Sequence, residues 1–435
     1  MQQGKCENPR KNETVIPVKQ CPVLFVHYGD EWIRGSEQCL LDLLTFLNRD
    51  KFFPVVWCNS QRMYQAVQAL KIEAICEPFP LLFGWKAPFF DVNGFMRLVK
   101  RGKTLVDHYN IRLIHSNSGA PCQWLNLVAR SRHLPLVAHL HSRYPLRDRL
   151  TLGLCQVSKV IAVSPPVAKQ VTDIGMPENR VVTVANGIDG QKFNRARAVD
   201  LRTMLKLDKK DFLLFSTGSL IKRKGMDIVI AAADLVKKSG VPVKLIIAGG
   251  GSEQANLSAW IKQLGLEKDV FLLGERQDLP SLLKGGIDIF VSGAREEAFG
   301  LVLAEAGLNA LPVIAPAVGG IPFVIRHKQT GLLIPPQDPQ IMAEKIIQLY
   351  RDPTLRLTLG LAGKKHTRDN FLIAGYVANI QACYLKVIAN PKCKLNWYSH
   401  WVITKPLLSL FKALGKLTHK HLCTTIKAKP LRSRS

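Results

Sequence analysis

The segment Gly293-Ala294-Arg295-Glu296-Glu297-Ala298-Phe299-Gly300-Leu301-Val302-Leu303-Ala304-Glu305-Ala306 leaves a β-rich run, passes a turn and enters a helical pattern. The amides near Phe299, Gly300, Leu301 and Val302 then open a helix, where unpaired N–H groups and the helix dipole attract a phosphate. Glu297 lies before the helix and Glu305 about two turns into it. A carboxylate beside a phosphate repels the ligand unless it accepts hydrogen bonds from neutral groups, such as sugar or ribose hydroxyls. Taken alone, the two residues serve equally as a helix cap and a solvated face.

Other candidates carry less. His139 and His141 stand at i and i+2, so in a strand both point to one face. Two such rings are half a metal site, but no third ligand lies near, so no metal is expected and His139 reads as a packed ring. Leu245–Gly251 ends a strand in three glycines, as a dinucleotide fingerprint does, yet Gln254 stands where the third required glycine would fall. No Walker A, HExxH or GxSxG pattern is present.

The elements that must position these residues are α/β throughout. Strand-like runs at 22–28, 54–58, 111–117, 135–141, 159–164 and 181–186 alternate with helical segments, including 36–48. The pattern lapses into polar, charged sequence at 190–210. It restarts at 212–218, 243–251, 269–275, 288–294 and 311–316, and 340–390 reads as mostly helical, closing the second unit. Runs apolar on both faces and alternating with helices predict parallel sheet. The expected organisation is a polar segment at 1–20, Rossmann-like doubly wound domains at 21–200 and 201–390, and a basic amphipathic tail at 391–435. Open α/β sheets bind ligands at the carboxyl ends of their strands, so two facing domains enclose a cleft where chemistry is sought.

Six motifs in order turn this pattern into a family resemblance. Arg34-Gly35-Ser36-Glu37 resembles a GGxE loop, Asn186-Gly187-Ile188-Asp189 with Phe193 an NGiD…F junction, and Gly218–Gly225 a GRLxxxKG loop. Glu297-x7-Glu305 is followed by Val318-Gly319-Gly320-Ile321-Pro322 and by Thr330–Pro336 with Asp338. Over roughly residues 22–385 the chain resembles glycosyltransferase family 4, the retaining glycosyltransferases of GT-B fold: two facing Rossmann-like domains with a cleft between them.

The resemblance implies roles. Lys224 would hold the diphosphate of a nucleotide-sugar donor together with the amides near Phe299, Gly300 and Leu301, and Arg223 is a second cation beside it. Glu297 would accept bonds from donor-sugar hydroxyls and Glu305 from the ribose. Gly35 and Ser36 would bring backbone to the phosphates from the other side, and Gly274–Gln277, with Arg276, would meet the base. His141 would lie beside the sugar and phosphate. Neither a cofactor nor a metal is implied; the nucleotide sugar is a co-substrate. Ser219 stands where the family usually has arginine, Ala298 replaces a glycine, and Phe323 replaces a glutamate. A sugar phosphorylase, a glycogen-type synthase and a non-catalytic nucleotide- or glycan-binding member are the alternative readings.

Charge supplies the expected partners. Sixty Lys+Arg against 33 Asp+Glu give +27, which favours anionic partners. Residues 391–435 carry ten of the cations and no acid, leaving +17 for the remainder. The tail mixes Trp397, Tyr398, Trp401 and Phe411 with lysines, which suits a helix lying on an anionic bilayer. Lys86, Arg97, Lys100, Arg101 and Lys103 would add to such a surface. Nucleic acid is not expected, because no RRM, KH or helix-turn-helix pattern accompanies the charge. The ten cysteines are scattered singly and Met1–Gln20 lacks an apolar h-region, so reduced thiols and no signal peptide are expected. The sequence thus predicts a cytoplasmic enzyme, peripheral on the membrane. It would transfer a sugar to a hydroxyl of a glycan or lipid-linked acceptor, in lipopolysaccharide, capsule or lipid-linked glycan synthesis.

Overall fold

A computed structural model describes residues 20–85 and 90–390. The first sheet comprises β1 (Cys21–His27), β2 (Phe52–Cys58), β3 (Glu73–Cys76), β4 (Leu113–Ser116), β5 (Leu136–Leu140), β6 (Lys159–Ala162) and β7 (Val181–Thr183). The second comprises β8 (Phe212–Thr217), β9 (Val243–Ala248), β10 (Val270–Leu272), β11 (Ile289–Val291), β12 (Val313–Pro316) and β13 (Gly331–Ile334). Their orders are β3-β2-β1-β4-β5-β6-β7 and β10-β9-β8-β11-β12-β13, and every pairing is parallel. The doubly wound architecture expected from the alternating runs is the one observed.

In each sheet the order reverses beside the first strand, between β1 and β4 and between β8 and β11. At such a switch point the following loops diverge and leave a crevice for a ligand. Register decides what meets there. Val26 pairs with Ser116 and Ser116 with Ala138, so the residues just past β1, β4 and β5 share one edge. The Asn117 amide continues the ladder by donating to the Val26 carbonyl at 2.9 Å.

Two strands lie outside the expected set. β3 is a short edge strand, and β13 falls inside the Thr330–Pro336 motif. Local chemistry starts several helices: Asp91, Asp338 and Asp352 each accept an N-terminal amide, with Pro339 and Pro353 opening the latter two of these three helices.

The boundary at 390 needs correction. Helix Ile373–Ala389 leaves the second domain and packs on the first, burying Tyr376, Ile380 and Tyr384 with Leu40, Leu43 and Phe52 in one core. The crossing is stitched at Ile188, whose amide donates to Phe371 at 2.8 Å and whose carbonyl accepts from Ile373 at 2.9 Å. Periodicity reports that a helix has an apolar face; it does not report which sheet that face covers. The segments 1–20 and 391–435, apart from Gln20, and Lys86 lie outside the described residues. Among the described residues no helix is long and apolar enough to cross a membrane, and Cys21, Cys39, Cys58, Cys76, Cys122 and Cys155 are free thiols.

Candidate functional site

The carboxyl ends of the two sheets enclose a cleft of about 970 Å³. From the first domain it is lined by the loop and helix start after β1, including Arg34, Gly35, Ser36 and Glu37, and by His141 and Arg143 after β5. The second domain adds Ser219, Arg223 and Lys224 after β8, Glu275 and Arg276 after β10, and Glu297 to Val302 after β11. Two helix starts thus meet across the cleft, Gly35–Phe46 and Leu301–Leu308. A Cβ on Gly35 would lie 3.8 Å from a Leu301 methyl.

Lys224 and Glu297 are held together by backbone contact between their loops. Gly225, at φ 63°, packs so closely on Gly293 that an added Cβ would sit 1.9 Å from the Gly293 carbonyl oxygen. The Arg295 amide donates to the Arg223 carbonyl at 2.9 Å. The Arg295 guanidinium clasps Asp227 at 2.8 and 2.5 Å. On the far side Gly319, at φ 52°, brings its backbone against the Glu297 carbonyl, which accepts the Gly320 amide at 2.8 Å. With both loops fixed, the Lys224 ammonium forms an ion pair with the Glu297 carboxylate, whose other oxygen accepts the Ala298 amide at 3.1 Å. From the first domain the Ser164 hydroxyl reaches across and donates to the Ala298 carbonyl at 2.5 Å.

The remaining candidates divide. Gly300, at φ 101°, caps helix Leu301–Leu308, and Leu301 lines the cleft. Phe299 contributes backbone only, since its ring is buried against Phe371 at 5.6 Å and Phe323 at 6.3 Å. Phe323, in place of a glutamate, is partly buried and packs against the core. Arg223 donates to the Glu296 carbonyl at 3.1 Å, and Arg276 is engaged by Asp278 at 2.8 and 2.7 Å. Neither guanidinium stands idle in the cleft.

Glu305 departs most from expectation. It lies one turn into its helix rather than two and is half-buried outside the cleft lining. It faces the domain junction, where burial pushes its carboxyl up to about 7, opposed by Lys192 and reinforced by Asp42. Asp42 is itself pushed up to about 6 by burial.

His141 meets two buried histidine rings. Its centroid is 4.1 Å from that of His139, which is 5.5 Å from that of His115. Burial, with the neighbouring His27, draws His141 down to about 3, and burial draws His139 well below the usual range. These are neutral rings at ordinary pH. Among the described residues no group of three or more His, Cys, Asp or Glu is arranged to hold a metal.

Arg143 lines the cleft without having been named from the sequence, while Arg34 and Glu275 line it from within quoted motifs that gave neither a role of its own. Two cations placed beside recognisable loop residues, one before Gly35 and one two places after His141, were the available signal. Asn117, which meets His141 and Ser36, left no motif at all.

The two halves match separate family models: residues 33–192 that for "Glycosyltransferase Family 4" and residues 200–366 that for "Glycosyl transferases group 1". The chain is 26% identical over 309 residues to an N-acetyl-alpha-D-glucosaminyl L-malate synthase of Bacillus anthracis, covering 68% of this chain and 80% of that protein. It is 29% identical over 289 residues to a D-inositol 3-phosphate glycosyltransferase of Catenulispora acidiphila, covering 60% and 69%. Among solved structures, Anabaena HepE in complex with UDP and glucose superposes with a TM-score of 0.71 at 23% identity, over 83% of this chain and 99% of that one. The sucrose-phosphate synthase of Thermosynechococcus elongatus gives 0.68 at 19% identity, over 85% and 99%. These likenesses show the fold, two facing Rossmann-like domains of the GT-B class.

Proposed function

We propose that this chain, which belongs to glycosyltransferase family 4, moves a sugar from a nucleoside diphosphate sugar to a hydroxyl acceptor with retention of configuration. One observation carries the reading: Lys224, Glu297 and the start of helix Leu301–Leu308 converge on one wall of a cleft, facing the helix start at Gly35. Helix starts and a lysine are what a diphosphate requires, and a carboxylate beside them suits the hydroxyls of the attached sugar.

In this mechanism the bond between the anomeric carbon and the diphosphate oxygen breaks as the acceptor oxygen bonds to the same face. The acceptor proton passes to the departing diphosphate, so no protein nucleophile is assigned. Lys224 and the amides of Gly300 and Leu301 stabilise charge growing on the leaving oxygen, the term expected to dominate. Lys224 is paired with Glu297. Donor binding turns the ammonium toward the diphosphate and frees Glu297 to accept sugar hydroxyls. Glu305 meets the ribose only if its side chain or the domain junction rearranges.

The acceptor proposed is a glycan or lipid-linked intermediate of lipopolysaccharide, capsule or similar synthesis, met at the cytoplasmic face of a membrane. Support comes from exposed Phe83, Trp85, Phe90 and Met96 beside helix Val92–His108, which carries Arg97, Lys100, Arg101 and Lys103. The basic tail would add electrostatic attraction, so binding to anionic vesicles should weaken with salt and on deleting residues 391–435.

The test of the site is direct. Nucleotide-sugar donors are screened by thermal stabilisation, since a ligand selective for the native state raises the melting temperature by mass action. With the donor found, Lys224→Ala and Glu297→Ala are each expected to lower turnover about 10²-fold or more. Near-wild-type turnover in both would refute the assignment.

A further inference from the structure

Four polar side chains run from the start of helix Gly35–Phe46 to the cleft, and their hydrogen-bonding polarity is determined at both fixed points. Glu37 Oε1 lies 3.0 Å from His27 Nε2, and His27 Nδ1 lies 3.1 Å from Asn117 Nδ2. Asn117 Oδ1 lies 3.2 Å from His141 Nε2. The same Asn117 Nδ2 lies 3.1 Å from the Ser36 carbonyl oxygen. A carbonyl only accepts, so the amide nitrogen of Asn117 must face Ser36 and His27, and its oxygen must face His141. At the other end Glu37 Oε2 already accepts the Arg34 amide at 3.2 Å and the Ser36 hydroxyl at 3.0 Å. Burial alone would raise this carboxyl, yet the hydrogen bond from His27 and those from the helix start bring it to about 2. It is therefore an ionised acceptor, and His27 Nε2 must donate to it.

We propose that Glu37, His27 and Asn117 are positioning residues that lock His141 as its Nε2–H tautomer, leaving Nδ1 as a hydrogen-bond acceptor for a hydroxyl of the bound sugar or acceptor. Each ring nitrogen's role follows from the bond its partner makes: His27 donates from Nε2 and accepts at Nδ1, and His141 donates from Nε2. His141 Nδ1 is buried and has no partner among the described residues, while His141 itself lines the cleft. A buried lone pair without a donor is unfavourable until a ligand supplies one. A hydroxyl can do so, and an ionised phosphate cannot. His141 thus selects the sugar end of a donor over its diphosphate. None of the three relay residues needs to touch the reacting atoms.

The kinetic consequence rests on reading the cleft as the transfer site; the tautomer does not, so the two are separable. Full-length protein labelled with ¹⁵N-histidine is studied by two-bond proton–nitrogen correlation without ligand, His141 being identified by its loss in His141→Ala. One pattern is expected, protonated at Nε2 and bare at Nδ1. Asn117→Ala should release it to an averaged pattern. An Nδ1–H or averaged pattern in the native protein overturns the relay, and this arm needs no variant of the relay to fold. So does an unchanged pattern in Asn117→Ala. In transfer assays Asn117→Ala should lower kcat/KM about tenfold but have no further effect in a His141→Ala background. An equal loss in that background would mean that Asn117 does not act through His141.

Discussion

Gly225→Ala tests whether the Lys224 and Glu297 loops must touch. Gly225 has φ 63° and Gly265 has φ 65°, so alanine at either meets the same left-handed backbone penalty of about 1–2 kcal/mol. Their surroundings differ. A Cβ at Gly265 has nothing within 4 Å, whereas at Gly225 it lies 1.9 Å from the Gly293 carbonyl oxygen, where ordinary contact begins at 3.4 Å. The loops must therefore part by about 3.4 − 1.9 = 1.5 Å. Misplacing a catalytic group by about 1 Å costs on the order of 10²-fold in rate. Gly225→Ala should lose about 100-fold in turnover with the preferred donor, and Gly265→Ala should lose none. Thermal melts establish that both variants are folded, and nucleotide release reads the rate. If folded Gly225→Ala turned over within threefold of Gly265→Ala, the loop contact would not set the geometry of Lys224.

Three further outcomes follow from charge and burial. Burial, with His141 nearby, draws His115 down to about 3, so its contribution to stability is present above its unfolded value of about 6.5 and is lost as pH falls toward 3. His115→Gln, which keeps an acceptor for the Tyr384 hydroxyl now 2.7 Å from Nδ1, should remove about 2 kcal/mol of the stability lost between pH 7.5 and pH 5; identical slopes in denaturant titrations would contradict this. Glu305 has the opposite sign: held at about 7, it contributes fully below its unfolded value and its contribution is lost as pH rises through 7. Glu305→Gln should therefore gain about 3 kcal/mol relative to wild type on going from pH 5 to pH 8. Ser219 lines the cleft, and Ser219→Arg should tighten nucleotide binding roughly tenfold through one charge-assisted bond, measured by calorimetry; weaker binding would place that side chain away from the diphosphate.

Much of the site was legible because its determinants are local. A glycine where the chain must turn left-handed, a proline opening a helix and an aspartate capping one leave fixed residue types at fixed spacing, as at Gly225, Gly319, Pro339 and Asp338. The parallel sheets were legible for the same reason, since strands buried on both faces read as continuous apolar runs. Short β3 and the return helix Ile373–Ala389 were not, because a short edge strand carries little pattern and amphipathicity names no partner.

The sequence by itself determined two doubly wound domains, the loops at their strand ends and the identity of Lys224, Glu297 and His141 as candidates. Only the tertiary structure decided what those residues face. Strand register brings His27, Asn117 and His141 into one chain of hydrogen bonds across separations of 90 and 24 residues. Domain packing turns Glu305 toward Asp42 and Lys192 rather than into the cleft. Such pairings depend on distances between elements that no local spacing encodes, and on burial, which sets whether a carboxylate or an imidazole carries its charge.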